Sequence, residues 1–159
     1  MTDIHFETFD HHPAEETQRI DQGLSDFNEQ APPLHEVRPL AYVARLSSGE
    51  VIGGAVGRRW GTCAELQQLW VSEAHQKQGL GSKLVRLFEQ HAQNHGCTSF
   101  FLETFSFQAP PFYQKLGYTC AFSLDVYPHG IVKHLLIKRL NSTEKLPPAP
   151  DTSSAPRDC

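Results

Sequence analysis

The sequence predicts an α/β fold built on a mixed β-sheet, and two patterns carry this prediction. Between residues 39 and 72, short β-rich runs follow one another across tight turns, as in an antiparallel meander. Beyond residue 72, β-rich runs alternate with helical patterns, so the next strand is expected to run parallel to the one before it. The chain has 159 residues, of which 39% are apolar and 20% charged. These values suit a single soluble domain with a substantial core.

The first part of the chain predicts a strand, a helix and a loop. Side chains alternate over residues 4–9, as in a strand. Pro13, with Glu15 and Glu16 soon after it, marks the start of a helix. An apolar stripe at helical spacing continues this helix until the Pro32-Pro33 pair ends it. The stripe consists of Ile20, Leu24 and Phe27.

Three β-rich runs form the predicted meander. They span residues 39–46, 51–60 and 64–72, and the polar segment 47–50 has the composition of a hairpin turn. The second run carries glycines at positions 53, 54 and 57, which are poor strand residues. Glycine inside a strand indicates a bulge or a close backbone contact.

Residues 66–82 combine the end of a strand, a glycine-bearing turn and the start of an amphipathic helix over 79–95. At such a junction, unpaired backbone amides and the helix dipole converge on one anion. Gly79 and Gly81 would let the backbone approach that anion closely. The stretch lacks the third glycine of a dinucleotide loop, and no Gly-Lys-Ser/Thr occurs. The sequence therefore predicts a phosphate cradle of another kind.

The remaining pattern predicts three strands and a short helix. The strands span residues 98–105, 118–123 and 131–140. The helix opens at Pro110-Pro111 and ends near Gly117. From residue 141 onwards the chain is rich in proline and serine and has little to bury. We therefore expect one domain over residues 1–140 and a disordered tail over residues 141–159.

Charge and hydropathy exclude several classes of function. The formal net charge of −4 offers no basic field for nucleic acid. No apolar run is long enough to cross a membrane. The acidic N-terminus lacks the apolar core of a signal peptide, so we expect a cytoplasmic location. The four cysteines form no CxxC pair. His91, His95 and Cys97 are close enough in sequence to bind one metal ion, but no fourth ligand is apparent, so no metal site is predicted.

Two motifs together resemble a known family. The first is Gln76-x-x-Gly79-x-Gly81 between a strand and a helix. The second, after the next strand, is Phe112-Tyr113-x-x-x-Gly117 in a proline-initiated helix. Together they resemble motifs A and B of the GNAT superfamily, the Gcn5-related N-acetyltransferases. The resemblance covers about residues 51–140.

The resemblance implies a central mixed sheet that splays open between predicted strands 4 and 5, with helices on both faces. Acetyl-coenzyme A would bind in this gap. The main chain around Leu69, Trp70 and Val71 would pair with the pantetheine arm, as a peptide pairs with a sheet edge. Ser106 stands where relatives often have an asparagine that contacts the pantetheine. The pyrophosphate would be bound by the backbone of Gln76, Lys77, Gln78, Gly79, Leu80, Gly81 and Ser82.

The same resemblance suggests catalytic residues. Tyr113 is the expected general acid, because a phenol can protonate a departing thiolate in a pocket that excludes water. Glu65, eleven residues before Gln76, is the first candidate for the base that deprotonates the amine. Glu103, His134 and a chain of waters are the alternatives.

These inferences predict an acetyl-CoA-dependent N-acetyltransferase that acts on a primary amine of a small molecule by direct attack in a ternary complex. Two alternatives stay open at this point: a non-catalytic acyl-CoA-binding sensor, and acetylation of a protein or peptide amine. A homodimer is a further expectation. The identity of the amine, and the use of acyl groups other than acetyl, are not readable from the sequence.

Overall fold

The structure, a computed structural model, describes residues 4–140. The predicted tail over residues 141–159 lies outside the described residues. The chain divides into two compact units, one ending at Glu36 and the other beginning at Val37; the single domain over residues 1–140 stays a prediction. The helices are α1 (Ala14–Glu29), α2 (Leu80–Asn94) and α3 (Pro110–Lys115). The strands are β1 (Arg38–Arg45), β2 (Val51–Trp60), β3 (Cys63–Val71), β4 (Ser99–Phe105), β5 (Thr119–Leu124) and β6 (Lys133–Arg139).

The first unit contains α1 and a short 3-10 turn at Pro32–Glu36. The helix begins directly after Pro13 and has two glutamates in its first turn, as its start signals predicted. The predicted strand over residues 4–9 is wrong, because these residues form no regular element. Ile4 and Phe6 are 74% and 93% exposed. Alternation alone does not make a strand where no neighbour completes the ladder and no face is buried.

The second unit is built on a six-stranded mixed sheet with the order β1-β2-β3-β4-β6-β5. All neighbours are antiparallel except β3 and β4, which are parallel. The predicted mixed sheet is therefore confirmed. The α2 helix crosses between β3 and β4, as a parallel connection requires. The six strands and α2 begin and end within about two residues of the predicted bounds, which is the usual uncertainty of element ends.

The core lies between α2 and one face of the sheet. Leu84, Val85, Phe88 and Ala92 of α2 are all buried. They pack in one cluster with inward-facing strand residues, at about 1.5–3 kcal/mol for each large apolar side chain removed from water. The strand residues of this cluster include Leu40, Ala55, Ala64, Leu66, Phe100, Leu102 and Leu136.

A bulge in β3 opens the sheet. Val56 pairs with Gln68 but Gly57 pairs with Leu66, so Gln67 is an extra residue on β3. A Cβ atom on Gly57 would lie 1.9 Å from the Glu65 carbonyl oxygen, so only glycine fits at this position. The parallel pairing of β3 with β4 ends at Leu66, immediately before the bulge. Because a bulge bends its strand, the rest of β3 separates from β4.

This separation corresponds to the gap predicted between strands 4 and 5. The strands concerned are the third and fourth of the observed fold, because the first predicted strand does not form. Of the glycines in the second run of the meander, Gly57 makes the predicted close contact, and the bulge lies opposite it on β3. None of the helices within residues 4–140 is long and apolar enough to span a membrane.

Candidate functional site

The gap between β3 and β4 holds a cavity of about 370 Å³, a size typical of small-ligand sites. Alternation along β4 places buried Thr104 on the face covered by α2 and Glu103 on the opposite face. The cavity is thus lined from both faces of the sheet. Its lining residues are Leu66, Gln67, Gln68, Leu69, Leu102, Glu103, Thr104, Gln108 and Tyr113.

Beyond the bulge, β3 presents unpaired backbone groups to this gap. The Ser72 amide donates to the Ile52 carbonyl at 2.8 Å. Successive residues of an antiparallel strand direct their backbone groups to opposite sides. Trp70 therefore pairs its backbone with β2, while Leu69 and Val71 direct theirs toward the gap.

One of these groups already has a partner. The Gln76 side-chain Nε2 donates to the Val71 carbonyl at 3.0 Å. The amide and carbonyl of Leu69 and the amide of Val71 remain directed into the gap. They form a short open edge to which an amide-bearing chain can bind as an added strand would. The Trp70 side chain is 55% exposed and lies on the face away from α2.

The turn before α2 has the geometry of an anion site. Lys77 and Gly79 adopt left-handed backbone conformations, with φ of 59° and 80°. The first helical hydrogen bond runs from the Lys83 amide to the Gly79 carbonyl at 3.0 Å. The amides of Leu80, Gly81 and Ser82 therefore have no partner within the helix. The first turn carries no acidic side chain, so its dipole is available to a bound anion.

Two glutamine side chains stabilise this turn from within. Besides the bond from Gln76 to Val71, the Gln78 Nε2 donates to the Ala74 carbonyl at 3.1 Å. Both side chains are thus engaged with backbone carbonyl oxygens, one at the end of β3 and one in the connection that follows it. The backbone amides of the first turn of α2, together with the exposed Lys77, remain available to bind an anion. The observed role of the Gln76 side chain is therefore to bond the end of β3.

A groove of about 490 Å³ continues from Gly79 along the outer side of α2. It is lined by Lys83, Arg86, Leu87 and Gln90 as well as by Ser82. The sequence pattern had assigned no role to Lys83, Arg86 and Gln90, which lie on the polar side of the helix. The available signal was the three-residue spacing of Lys83 and Arg86, which puts two positive charges on one side of the helix next to the glycine turn.

Tyr113 is the fourth residue of the short helix α3 and lines the cavity. The helix begins at Pro110 after Ala109, which has a left-handed backbone with φ of 68°. The Tyr113 carbonyl accepts the amides of Leu116 at 2.9 Å and Tyr118 at 3.1 Å. Burial raises the pKa of the Tyr113 phenol. The hydroxyl group is protonated at neutral pH, as an ordinary phenol is, and it is available as a proton donor.

A buried polar network holds the segment after Tyr113 against α2. The Tyr118 hydroxyl donates to Glu89 Oε1 at 2.9 Å, and Lys138 Nζ donates to Glu89 Oε2 at 2.6 Å. Glu89 is only 4% exposed, so both its oxygens are satisfied where desolvation is costly. Burial, followed by the Glu89 charge, raises the pKa of Tyr118. Sequence reasoning missed this network, because its three members lie far apart in the chain.

The three side chains considered as general bases occupy different places. Glu65 lies in the paired part of β3, in register with Phe101, and its carboxylate binds Arg58 Nε at 2.6 Å. Glu103 lines the cavity and forms an ion pair with Lys133. His134 is 6% exposed, and its Nδ1 lies 2.9 Å from the Ser123 hydroxyl. Of the three, only Glu103 is among the cavity-lining residues.

Ser106 connects the loop after β4 to the loop before β6. Its amide donates to the Val132 carbonyl at 2.8 Å, and its hydroxyl accepts the Val132 amide at 3.2 Å. The observed contacts of Ser106 are therefore structural, and its contact with a pantetheine stays a prediction. Within residues 4–140, no group of three or more His, Cys, Asp or Glu side chains is arranged to bind a metal ion.

Comparison with known proteins agrees with this geometry. The sequence profile described as "Acetyltransferase (GNAT) family" matches residues 2–118. A blasticidin-S acetyltransferase of Streptomyces morookaense is 41% identical over 112 residues, which cover 68% of this chain and 82% of the relative. An acetyltransferase of Agrobacterium fabrum is 31% identical over 93 residues, covering 58% and 68% respectively. The crystal structure of an acetyltransferase from Bacillus cereus superposes with a TM-score of 0.67 at 28% identity, covering 84% of this chain and 98% of that one.

Proposed function

Because this chain belongs to the GNAT family of acetyltransferases, which use acetyl-coenzyme A, we propose that it transfers the acetyl group to a primary amine of a small molecule. The family assignment makes the chain an enzyme, so the sensor alternative is not retained. The small-molecule acceptor is supported by the relative named as a blasticidin-S acetyltransferase. The cytoplasmic location and the homodimer stay predictions.

The residues of the gap fit acetyl-CoA. The amides of Leu80, Gly81 and Ser82 suit its pyrophosphate, and the free backbone groups of Leu69 and Val71 suit the amides of its pantetheine arm. A donor bound along this path would bring its thioester into the cavity that Tyr113 lines. The coexistence of the open β3 edge and Tyr113 in one cavity is the observation that carries the proposal.

The chemistry follows from this placement. Bound acetyl-CoA supplies an activated acyl group. The Tyr113 hydroxyl, which is protonated at neutral pH, donates a proton to the departing thiolate. Backbone amides of the β3 edge polarise the acetyl carbonyl. The cavity holds amine and donor together, which supplies much of the rate.

The amine must lose a proton before it attacks. We propose Glu103 as the stronger candidate for this role and Glu65 as the second, with a water chain as the route that needs neither. Both carboxylates are in ion pairs, Glu103 with Lys133 and Glu65 with Arg58. Glu103 is preferred because it lines the cavity and Glu65 does not. Both lie on the sheet face away from α2, opposite the side from which Tyr113 approaches.

The proposal is tested by measuring release of free coenzyme A from acetyl-CoA in the presence of single amines, including blasticidin S, aminoglycosides, polyamines, amino acids and peptides with a free N-terminus. We expect release that depends on one class of amine. Acetyl-CoA should also raise the thermal midpoint by mass action. A midpoint unmoved by millimolar acetyl-CoA would reject the binding site, and a peptide amine as the sole acceptor would reject the small-molecule proposal.

A further inference from the structure

Three aromatic side chains form a cluster in the loops beside the gap, here called the ring cluster: Phe105, Phe107 and Tyr127. The rings of Phe105 and Phe107 stack with centroids 5.5 Å apart and planes inclined by 4°. The Tyr127 ring meets Phe105 edge-on at 5.4 Å and 84°. Phe107 is nevertheless 68% exposed and Tyr127 36% exposed. Large aromatic surface held open to solvent in a fixed arrangement is characteristic of binding sites.

The loops that carry these rings are fixed by hydrogen bonds. The Gln108 amide donates to the Phe105 carbonyl at 2.8 Å, and the Phe105 amide donates to Gln108 Oε1 at 3.0 Å. The two bonds between Ser106 and Val132 tie this loop to the one that follows Tyr127. The rings are therefore positioned before any ligand arrives, which lowers the entropic cost of binding.

The ring cluster adjoins the cavity through residues next to it, although its three rings are not among the cavity-lining residues. Gln108 and Glu103 line the cavity, and Phe105 is bonded to Gln108. By strand alternation, Glu103 and Phe105 share the sheet face away from α2. Tyr113 and the turn before α2 lie on the face covered by α2. An acetyl donor that enters past α2 thus leaves the ring-cluster side open to the second reactant.

We infer that the ring cluster is a platform for a planar ring of the acceptor, so that the preferred substrates are primary amines joined by a short linker to an aromatic, heteroaromatic or amidinium-bearing ring. This inference rests on the proposed function and specifies its substrate class. A planar ring can stack on the exposed Phe107, and a planar cation gains further from the aromatic faces.

The charge already near the cluster is balanced. Lys133 Nζ lies 5.9 Å from the Phe105 centroid and is paired with Glu103. The Glu103 hydrogen bond raises the pKa of Lys133, so this lysine stays charged and paired. The positive charge next to Phe105 is thereby neutralised, which leaves the faces of Phe107 and Tyr127 available to a ligand of either neutral or positive charge.

The test uses matched amines on protein saturated with coenzyme A. Benzylamine and cyclohexylmethylamine have the same linker and ring size, but only the first ring is planar; 4-(aminomethyl)benzamidine adds a planar cation. Binding of each is measured by ligand-observed NMR, and kcat/KM is measured separately with acetyl-CoA. We expect the planar ring to bind roughly three- to tenfold more tightly than the saturated one, and the amidine to bind more tightly still.

A double variant, Phe107→Leu with Tyr127→Leu, retains apolar surface but removes the planar faces, and it should abolish this preference. Phe122→Leu is the matched control, because Phe122 is 60% exposed on β5 outside the cluster; it should keep the preference. Equal binding of the two amines by the wild-type chain would overturn the inference. The inference would also be overturned if the double variant kept the preference for the planar amine but sedimented as a monomer where the wild-type chain sediments as a dimer. The cluster would then be a contact between copies of the chain.

The two proposals fail in different ways. If planar amines bind preferentially but no amine in the screen releases coenzyme A, the proposed function is rejected and the platform stands. If amines are acetylated with equal kcat/KM whether their ring is planar or saturated, the function stands and the platform is rejected.

Discussion

Both halves of β3 pair with β2 on one side, but only the first half pairs with β4 on the other side. From Cys63 to Leu66 the strand is paired with β2 and with β4, and buried Ala64 and Leu66 belong to the core. After the extra residue Gln67 it keeps β2 but loses β4, and the backbone of Leu69 and Val71 is directed into a cavity. One half is the middle of a sheet, and the other half is an edge.

This difference shows how a buried strand can also carry a binding site. An unpaired edge in the interior of a sheet exposes donors and acceptors that normally seek a partner strand. Here the edge is short, and it is enclosed by Thr104, Gln108 and Tyr113, so a small ligand fits it better than another chain does. The rigid half supplies the stability that holds the open half in position. Four predictions test this division, beginning with the largest expected effect.

Gly57→Ala should remove the difference between the two halves. A Cβ atom would overlap the Glu65 carbonyl oxygen at 1.9 Å, so the bulge must shift or the strands must separate. We expect a loss of at least about 2 kcal/mol in the free energy of unfolding, measured by urea denaturation. Gly23→Ala, in α1 with no neighbour closer than 3.6 Å, is the control and should be neutral or slightly stabilising. A Gly57→Ala protein as stable as the wild type would contradict the tight opposition of the strands.

Tyr113→Phe should affect only the open half. The ring and its packing against Phe112 and Tyr118 are retained, and only the donor to the thiolate is lost. We expect kcat to fall by about 100-fold or more, while the thermal shift caused by acetyl-CoA is unchanged. Tyr42→Phe, on β1 away from the cavity, is the control. Unchanged kcat in the Tyr113→Phe enzyme would remove this residue from the mechanism.

Glu103→Gln and Glu65→Gln compare a residue beside the open half with one in the paired half. If Glu103 is the base, its variant loses about 10- to 100-fold in kcat/KM below the pKa of the amine, and the loss shrinks as the pH rises. Glu65→Gln then changes activity little and stability by about 1 kcal/mol or less, because its partner Arg58 is mostly exposed. The opposite ranking in the two pH–rate profiles would make Glu65 the base.

Alkaline pH should weaken the fold around α3 gradually. Burial raises the pKa values of Tyr113 and Tyr118 in the folded protein, whereas unfolded tyrosine titrates near about 10. Stability from these neutral phenols is therefore fully present below about pH 10 and is lost as the pH rises above it. The urea midpoint measured at increasing pH should fall in this range.

Tyr118→Phe is the control for this pH dependence. It should cost about 1–3 kcal/mol at neutral pH, since Glu89 loses a buried donor, and it should make the alkaline decline shallower. An alkaline decline equally steep in the variant would mean that Tyr118 is not a source of it.

Several parts of the fold could be predicted because they depend on local chemistry. The start of α1 after Pro13, the turn at Gly79 and the proline start of α3 are set by residues a few positions apart. The bulge also had a local signal in the glycine at position 57. The strand predicted over residues 4–9 failed because a strand needs neighbours, and a run of alternating residues does not specify them.

By itself, the sequence determined the order of strands and helices and the glycine turn between β3 and α2, since periodicity and local residue chemistry encode them. The association of that turn with the Tyr113 helix was implied by the resemblance to the GNAT family. Only the tertiary structure decided which groups share a space. The Gln76 side chain bonds Val71, and Glu65 is paired with Arg58, whereas Glu103 lines the cavity. Glu89 bonds both Tyr118 and Lys138. Three aromatic rings form one cluster: Phe105, Phe107 and Tyr127. The physical reason is that cross-strand register and helix packing set distances between residues that sequence separation does not constrain.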